Sequence, residues 1–404
     1  MVEVTKWIKN NISRDSGNKV SLEYFSLAEI ENVKKFHESF NVYSKTPLTR
    51  LKNLSTKLGV SEILVKDESY RFGLNAFKVL GSSYAIGKLL SEKLGIPISE
   101  LTFDILKSES VKKKLGEIVF ITATDGNHGR GLAWTAEQLG QQSVVYMPKG
   151  SSKTRLENIR KTGAKASITD LNYDDAVRLA LAESKKYGYE MIQDTAWEGY
   201  EDVPLWIMQG YSTLMLEAVE QMKEIKVQKP THVFIQAGVG SLAGGIQGFL
   251  SSYYGKDRPI TAIVEPNKAD CIYKSKLNNK ITNVTGDMDT IMAGLACGEP
   301  NTIGWGILNS YSDMFISCPE YISSNGMRIL GNPLDGDEKV ISGESGSVTL
   351  GMVYEILNAP KLKELKEELK LDKDSRIMVI NTEGDTDPDN YRKIVWEGAF
   401  SKNE

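Results

Sequence analysis

Short runs of β-branched and aliphatic residues alternate along the chain with longer stretches whose apolar positions recur at three- and four-residue spacing. The runs Glu62–Val65, Ile118–Thr122, Ser143–Met147, Ala166–Thr169, His232–Ala237, Ile260–Val264 and Ile377–Ile380 predict strands. Between them, His128–Leu139, Asp174–Tyr187 and Leu205–Met222 predict helices. This alternation predicts an α/β fold with mostly parallel sheets. Right-handed crossovers then bring the strand C-termini to a common edge, where ligands bind. Lys361–Leu371, with Leu362, Leu365 and Leu369 spaced by three and four, predicts an amphipathic surface helix. No repeat, low-complexity tract or flexible linker interrupts the pattern, so any division into domains comes from chain crossings.

Three segments at expected strand ends carry chemistry. In Gln236-Ala-Gly-Val-Gly-Ser-Leu-Ala-Gly-Gly245 a strand runs into glycines and a helix opens near Leu242. Glycines allow close approach to an anion, and a helix start offers unpaired N–H groups. No Lys follows at nucleotide-triphosphate spacing, so the form suits a monophosphate; a tight strand-to-helix turn is the plain alternative. In Thr122-Ala-Thr-Asp-Gly-Asn-His-Gly-Arg-Gly131, capping by Asp125 or Asn127 explains one polar residue but not Thr, Asp, Asn and His together. In Arg71-Phe-Gly-Leu-Asn-Ala-Phe-Lys-Val-Leu-Gly81, Lys78 sits among Phe77, Val79 and Leu80. Desolvation makes such an amine nucleophilic, as a Schiff-base lysine requires. A snorkelling helix lysine fits that segment equally well.

Composition narrows the classes. The chain has 404 residues, 41% hydrophobic and 25% charged, which suits a globular protein of about two to three folding units. Lys plus Arg number 49 against 53 Asp plus Glu, and a net charge of −4 argues against nucleic acid as the main partner. No apolar run approaches the ~18 residues of a membrane span. The N-terminus has no apolar core of a secretory signal. Cys271, Cys297 and Cys318 are sparse usage, as in a reducing, cytoplasmic compartment. A Cys271–Cys297 bridge and two free thiols both remain open. With His37, His128 and His232 the only histidines and no Cys-x-x-Cys, no metal site is expected.

Taken together, these residues resemble the fold-type II pyridoxal-5′-phosphate (PLP) enzymes, the tryptophan synthase β and threonine deaminase group. More narrowly, they are similar to the diaminopropionate ammonia-lyase family. The marks are Asn75-Ala-Phe-Lys78-Val-Leu-Gly, Thr124-Asp-Gly-Asn-His-Gly-Arg130, Gln193-Asp-Thr-Ala-Trp-Glu-Gly199, Met292-Ala-Gly-Leu-Ala-Cys-Gly-Glu-Pro300, Gly343-Glu-Ser-Gly346 and Asn381-Thr-Glu-Gly-Asp-Thr-Asp387. The resemblance implies PLP as cofactor and Lys78 as the Schiff-base lysine. It places Asn127 against the pyridine 3′-oxygen and Gly238, Val239, Gly240, Ser241 and Leu242 around the phosphate. Thr382 falls where the group places a hydroxyl against the ring nitrogen. A hydroxyl does not keep that nitrogen protonated, so the ring is a weaker electron sink and elimination is favoured over transamination.

Asp125 stands where the wider deaminase group has Ser and the ammonia-lyase family has Asp, and Asp194 matches as a second carboxylate, which the resemblance implies is catalytic; a strand-end or cap residue is the plain alternative for Asp194. Together they imply recognition of an ammonium-bearing side chain, with one carboxylate pKa pushed upward. The implied reaction is β-elimination of 2,3-diaminopropionate, L and also D, to pyruvate and two ammonia through an external aldimine and aminoacrylate. Lys78 would take the Cα proton of the L isomer and Asp125 that of the D isomer. The implied architecture is two open, mostly parallel α/β domains with the cofactor in the cleft: residues 1–82 with 196–404, and 83–195. A cytoplasmic homodimer acting on a small amino acid, without nucleic acid or membrane, completes the expectation. A threonine or serine deaminase is the alternative on the same scaffold. A PLP carrier would not need two carboxylates, and a nicotinamide-binding oxidoreductase lacks its glycine fingerprint with an acidic residue at the ~20-residue offset.

Overall fold

The computed structural model describes residues 4–12, 14, 20–124 and 126–402. Eleven strands occur among them: β1 (Lys6–Lys9), β2 (Leu48–Arg50), β3 (Glu62–Asp67), β4 (Val119–Ala123), β5 (Gln142–Met147), β6 (Lys165–Ile168), β7 (Glu190–Met191), β8 (His232–Gln236), β9 (Ile260–Pro266), β10 (Met314–Cys318) and β11 (Arg376–Asn381). Seven form one sheet in the order β1-β10-β9-β8-β11-β3-β2, and four form a second in the order β6-β5-β4-β7. Antiparallel pairing is confined to the edge strands β1 and β2 of the larger sheet. The remaining strands pair in parallel, with β8 central and β11 beside it, Met378 facing Leu64 on one side and Val233 on the other.

β8, β10 and β11 carry near-continuous buried runs, because helices cover both faces of a parallel sheet. All seven predicted strands are present within two residues. The helices Asn127–Gln138, Tyr173–Tyr187 and Asp202–Glu224 match the three predicted ones. The segment expected as one helix over 361–371 is instead a 3-10 turn at Pro360–Leu362 and a helix at Lys363–Glu368. Its leucines 362, 365 and 369 are buried as the spacing required, but Lys370 takes a left-handed backbone (φ 55°) that ends the helix early. All three cysteines are buried and unbridged. No helix among the described residues is long and apolar enough to cross a membrane.

Two packing devices position the site. The helices Val79–Leu94 and Asn127–Gln138 cross at Gly131, where a Cβ would lie 2.8 Å from the Val79 Cα. Only a residue without a side chain permits this approach, which draws the starts of both helices together. Ahead of Lys78 the backbone bends through three left-handed residues, Phe72 (φ 50°), Gly73 (φ 70°) and Asn75 (φ 57°). Arg71 anchors this bend. Its guanidinium donates to Glu68 and, at 2.8 Å, to Glu217, while Lys66 donates to Glu217 at 2.7 Å. All four side chains are fully buried.

Burial works against the charge on Glu217, but Arg71 and Lys66 outweigh it and hold the carboxyl below its ordinary 4.5. A depressed carboxylate stabilises the fold above pH 4.5, and that contribution is lost as the pH falls below it. Glu217→Gln leaves two buried cations facing one carboxylate. It is expected to cost about 3–5 kcal/mol, read as a lower urea midpoint at neutral pH; an unchanged midpoint would contradict the anchoring role.

Candidate active site

One cavity at the C-terminal ends of β8 and β11 gathers the residues singled out above. Lys78, Asn127, Asp194, the run Gly238–Leu242 and Thr382 all line it. Asp125 lies outside the described residues. Thr124 and Asn127 on either side of it in sequence both face the cavity.

Lys78 directly precedes the helix Val79–Leu94, and its Nζ donates to Asp194 Oδ2 at 2.6 Å. Asp194 is buried; Tyr173 donates to its Oδ1 at 3.1 Å, and Gln193 Nε2 does so at 3.3 Å. Gln193 is itself fixed to the end of β4, accepting from the Thr122 hydroxyl at 2.8 Å and the Ala123 N–H at 3.0 Å. Burial pushes the Asp194 carboxyl up, but the Lys78 ammonium and these hydrogen bonds prevail and hold it well below the carboxylate range. The upward push expected for one of two neighbouring carboxylates therefore does not fall on Asp194, because a cation stands against it. On Tyr173, burial and the Asp194 charge act together and keep the phenol protonated as a donor.

The glycine loop leaves β8 and opens the helix Ser241–Tyr254. Gly240 has φ 96°, a conformation L side chains rarely adopt, and a Cβ there would meet Ile272 at 3.1 Å. The first N–H groups of this helix have no carbonyl partner within it. Ser241 is held from the side: its hydroxyl donates to the Asp194 carbonyl, and Asn301 Nδ2 donates to its Oγ at 2.8 Å. Across the cavity, Thr382 Oγ1 accepts from Gln236 Nε2 at 3.1 Å, so its own proton remains for an acceptor. The buried Ser345 Oγ lining the cavity has no hydrogen-bond partner among the described residues. Asn127 Nδ2 donates to the buried Glu383. Arg130 reaches back to the Lys78 segment, donating to the Leu74 carbonyl at 3.0 Å.

These groups fit pyridoxal phosphate. The helix start and glycines suit a phosphate, Lys78 an aldehyde, Asn127 an oxygen acceptor, and Thr382 a ring nitrogen without a proton. The unpartnered Ser345 hydroxyl marks a polar space that the protein does not fill for itself. Sequence reading missed Tyr173, Gln236, Asn301 and Glu383. Asn301 reads as a helix cap, and it is one, accepting from the Gly304 N–H at 2.9 Å. Glu383 follows Thr382 directly, and an acidic residue at a buried strand end was the available signal.

The profile of the pyridoxal-phosphate dependent enzyme family matches residues 40–383. A diaminopropionate ammonia-lyase of Escherichia coli strain K12 is 52% identical over 377 residues, which cover 93% of this chain and 94% of that protein. A crystal structure of Escherichia coli diaminopropionate ammonia-lyase in complex with an aminoacrylate-PLP azomethine reaction intermediate superposes with a TM-score of 0.90, at 48% identity and 99% coverage of both chains. A second, in complex with D-serine, also gives 0.90 at 48% identity, covering 98% of both.

Proposed function

The chain belongs to the diaminopropionate ammonia-lyases, within the pyridoxal-phosphate dependent enzymes, and from this premise we propose how its own side chains divide the work. The reaction is PLP-dependent β-elimination of 2,3-diaminopropionate, a carbon–nitrogen bond cleavage. A hydrogen leaves Cα and ammonia leaves Cβ. The enamine released takes up water to give pyruvate and a second ammonia, so the atoms of one substrate and one water are accounted for. When bound, the cofactor draws electrons from Cα and acidifies its hydrogen.

Lys78 Nζ receives the Cα hydrogen of the L isomer, and Asp125 that of the D isomer from the opposite face. The Escherichia coli relative crystallised with D-serine supports a cavity that admits D amino acids. Asp194, kept ionised, holds whichever cation stands beside it. With Lys78 engaged elsewhere, that cation is the β-ammonium of the substrate. Tyr173 and Gln193 keep the Asp194 oxygens aimed at that position. Thr382 would donate a hydrogen bond from its hydroxyl to the ring nitrogen without protonating it, which suits elimination. The cleft between residues 1–82 with 196–404 and residues 83–195, assembly as a homodimer and a cytoplasmic location belong to the same proposal.

The observation that carries this reading is the 2.6 Å contact of Lys78 Nζ with Asp194 in the cavity that also holds the glycine loop. Pyruvate release from D- and L-diaminopropionate, serine and threonine tests it; faster release from serine or threonine would favour a deaminase. Asp194→Asn removes a charged partner of the substrate ammonium. A charge-assisted hydrogen bond is worth ~1.5–3 kcal/mol, so KM for diaminopropionate is expected to rise about 10- to 100-fold while KM for serine changes little. An equal rise for both would remove Asp194 from substrate selection.

A further inference from the structure

Asn127 can turn either end of its amide to the cavity, because the oxygen and nitrogen ends are nearly the same size. Packing alone therefore does not decide whether the residue donates or accepts there. Glu383 does decide it. Its Oε2 accepts from Asn127 Nδ2, and its Oε1 accepts from the Ser345 N–H at 3.2 Å. The Thr386 hydroxyl lies 3.4 Å from the same Oε2. The side chain is buried and packs directly over Gly343, where an added Cβ would lie 3.0 Å from its Cγ. The backbone of Glu383 also pairs with Ala76, two residues before Lys78. Three donors converge on a group that accepts through both oxygens, so the amine end of Asn127 faces Glu383. One N–H of Nδ2 is used there, and the second stays on the nitrogen for an acceptor in the cavity.

We propose that Glu383 is a positioning residue, which fixes the Asn127 amide so that it can only donate toward the cofactor's 3′-oxygen. This rests on the placing of Asn127 against that oxygen, and the test separates the two. A donor there favours the form of the bound cofactor in which the oxygen carries most negative charge, which is the deprotonated form. Loss of the donor thus raises the midpoint of the pH titration of the visible absorbance.

Glu383→Gln is close in shape and can still accept from the Ser345 N–H, but it can pair with either end of the Asn127 amide. Its midpoint, measured on cofactor-loaded protein without substrate, is expected to rise by about one pH unit, the worth of roughly one hydrogen bond. Asn127→Ala should raise it by a similar amount, and the double variant no further. A shift in Asn127→Ala with none in Glu383→Gln would overturn the positioning role alone. No shift in either would overturn the placing of Asn127 and the proposal with it. Additive shifts would show that Glu383 acts without Asn127, and would also overturn it.

Discussion

Lys78→Ala is expected to abolish turnover, by a factor on the order of 10⁴ or more, since on the proposed roles the variant loses both the covalent attachment and a general base. The glycine loop is untouched, so the variant should still bind pyridoxal phosphate but without the visible band of the lysine-linked form. Borohydride should fix cofactor to the peptide containing residue 78 in the parent protein and to none in the variant. The spectrum is the decisive readout, because melting temperature is confounded. Removing the ammonium leaves Asp194 buried without the cation that holds its pKa down. Such a site loses stability whatever the lysine does in catalysis. A visible band persisting in the variant would displace Lys78 from its role and leave the Lys78–Asp194 pair a structural ion pair.

Asp125→Asn is expected to lower kcat/KM for D-diaminopropionate by about 10²–10⁴-fold, the range of one general base. The L isomer should be affected far less, since on the proposed roles its proton goes to Lys78. If Asp125 instead only attracts the substrate ammonium, both isomers lose affinity alike, and KM rather than kcat moves. Steady-state pyruvate formation from each isomer separates the cases, and equal losses would contradict two bases on two faces.

Much of this was readable in the chain because the governing contacts are local. The glycine loop declares itself by its spacing, and β8 and β11 by their unbroken apolar runs. Lys78 is conspicuous because no neighbour in sequence neutralises it. Elements fixed only by distant pairing were harder to see. β7 has two residues and exists because β4 offers it a ladder. β1 and β2 are strands of four and three residues that pair antiparallel at the sheet margins. β10, Met314–Cys318, is as apolar as any predicted strand and was legible in principle. The polar framework of the site was the least legible part. Tyr173, Asn301 and Glu383 look like ordinary helix-start, cap and loop residues until the fold brings each within hydrogen-bond reach of Asp194, Ser241 or Asn127.

The buried ion cluster behind Lys78 ties competence to synthesis. Arg71 and Glu217 are separated by 146 residues. A nascent chain that has emerged from the ribosome only through its first half holds Lys66, Glu68 and Arg71 with one positive charge in excess. That charge cannot be sequestered until the long helix carrying Glu217 is made and docked. The bend ahead of Lys78 therefore depends on a helix far downstream, and a chain ending before Glu217 would leave Lys66 and Arg71 facing a single carboxylate, Glu68.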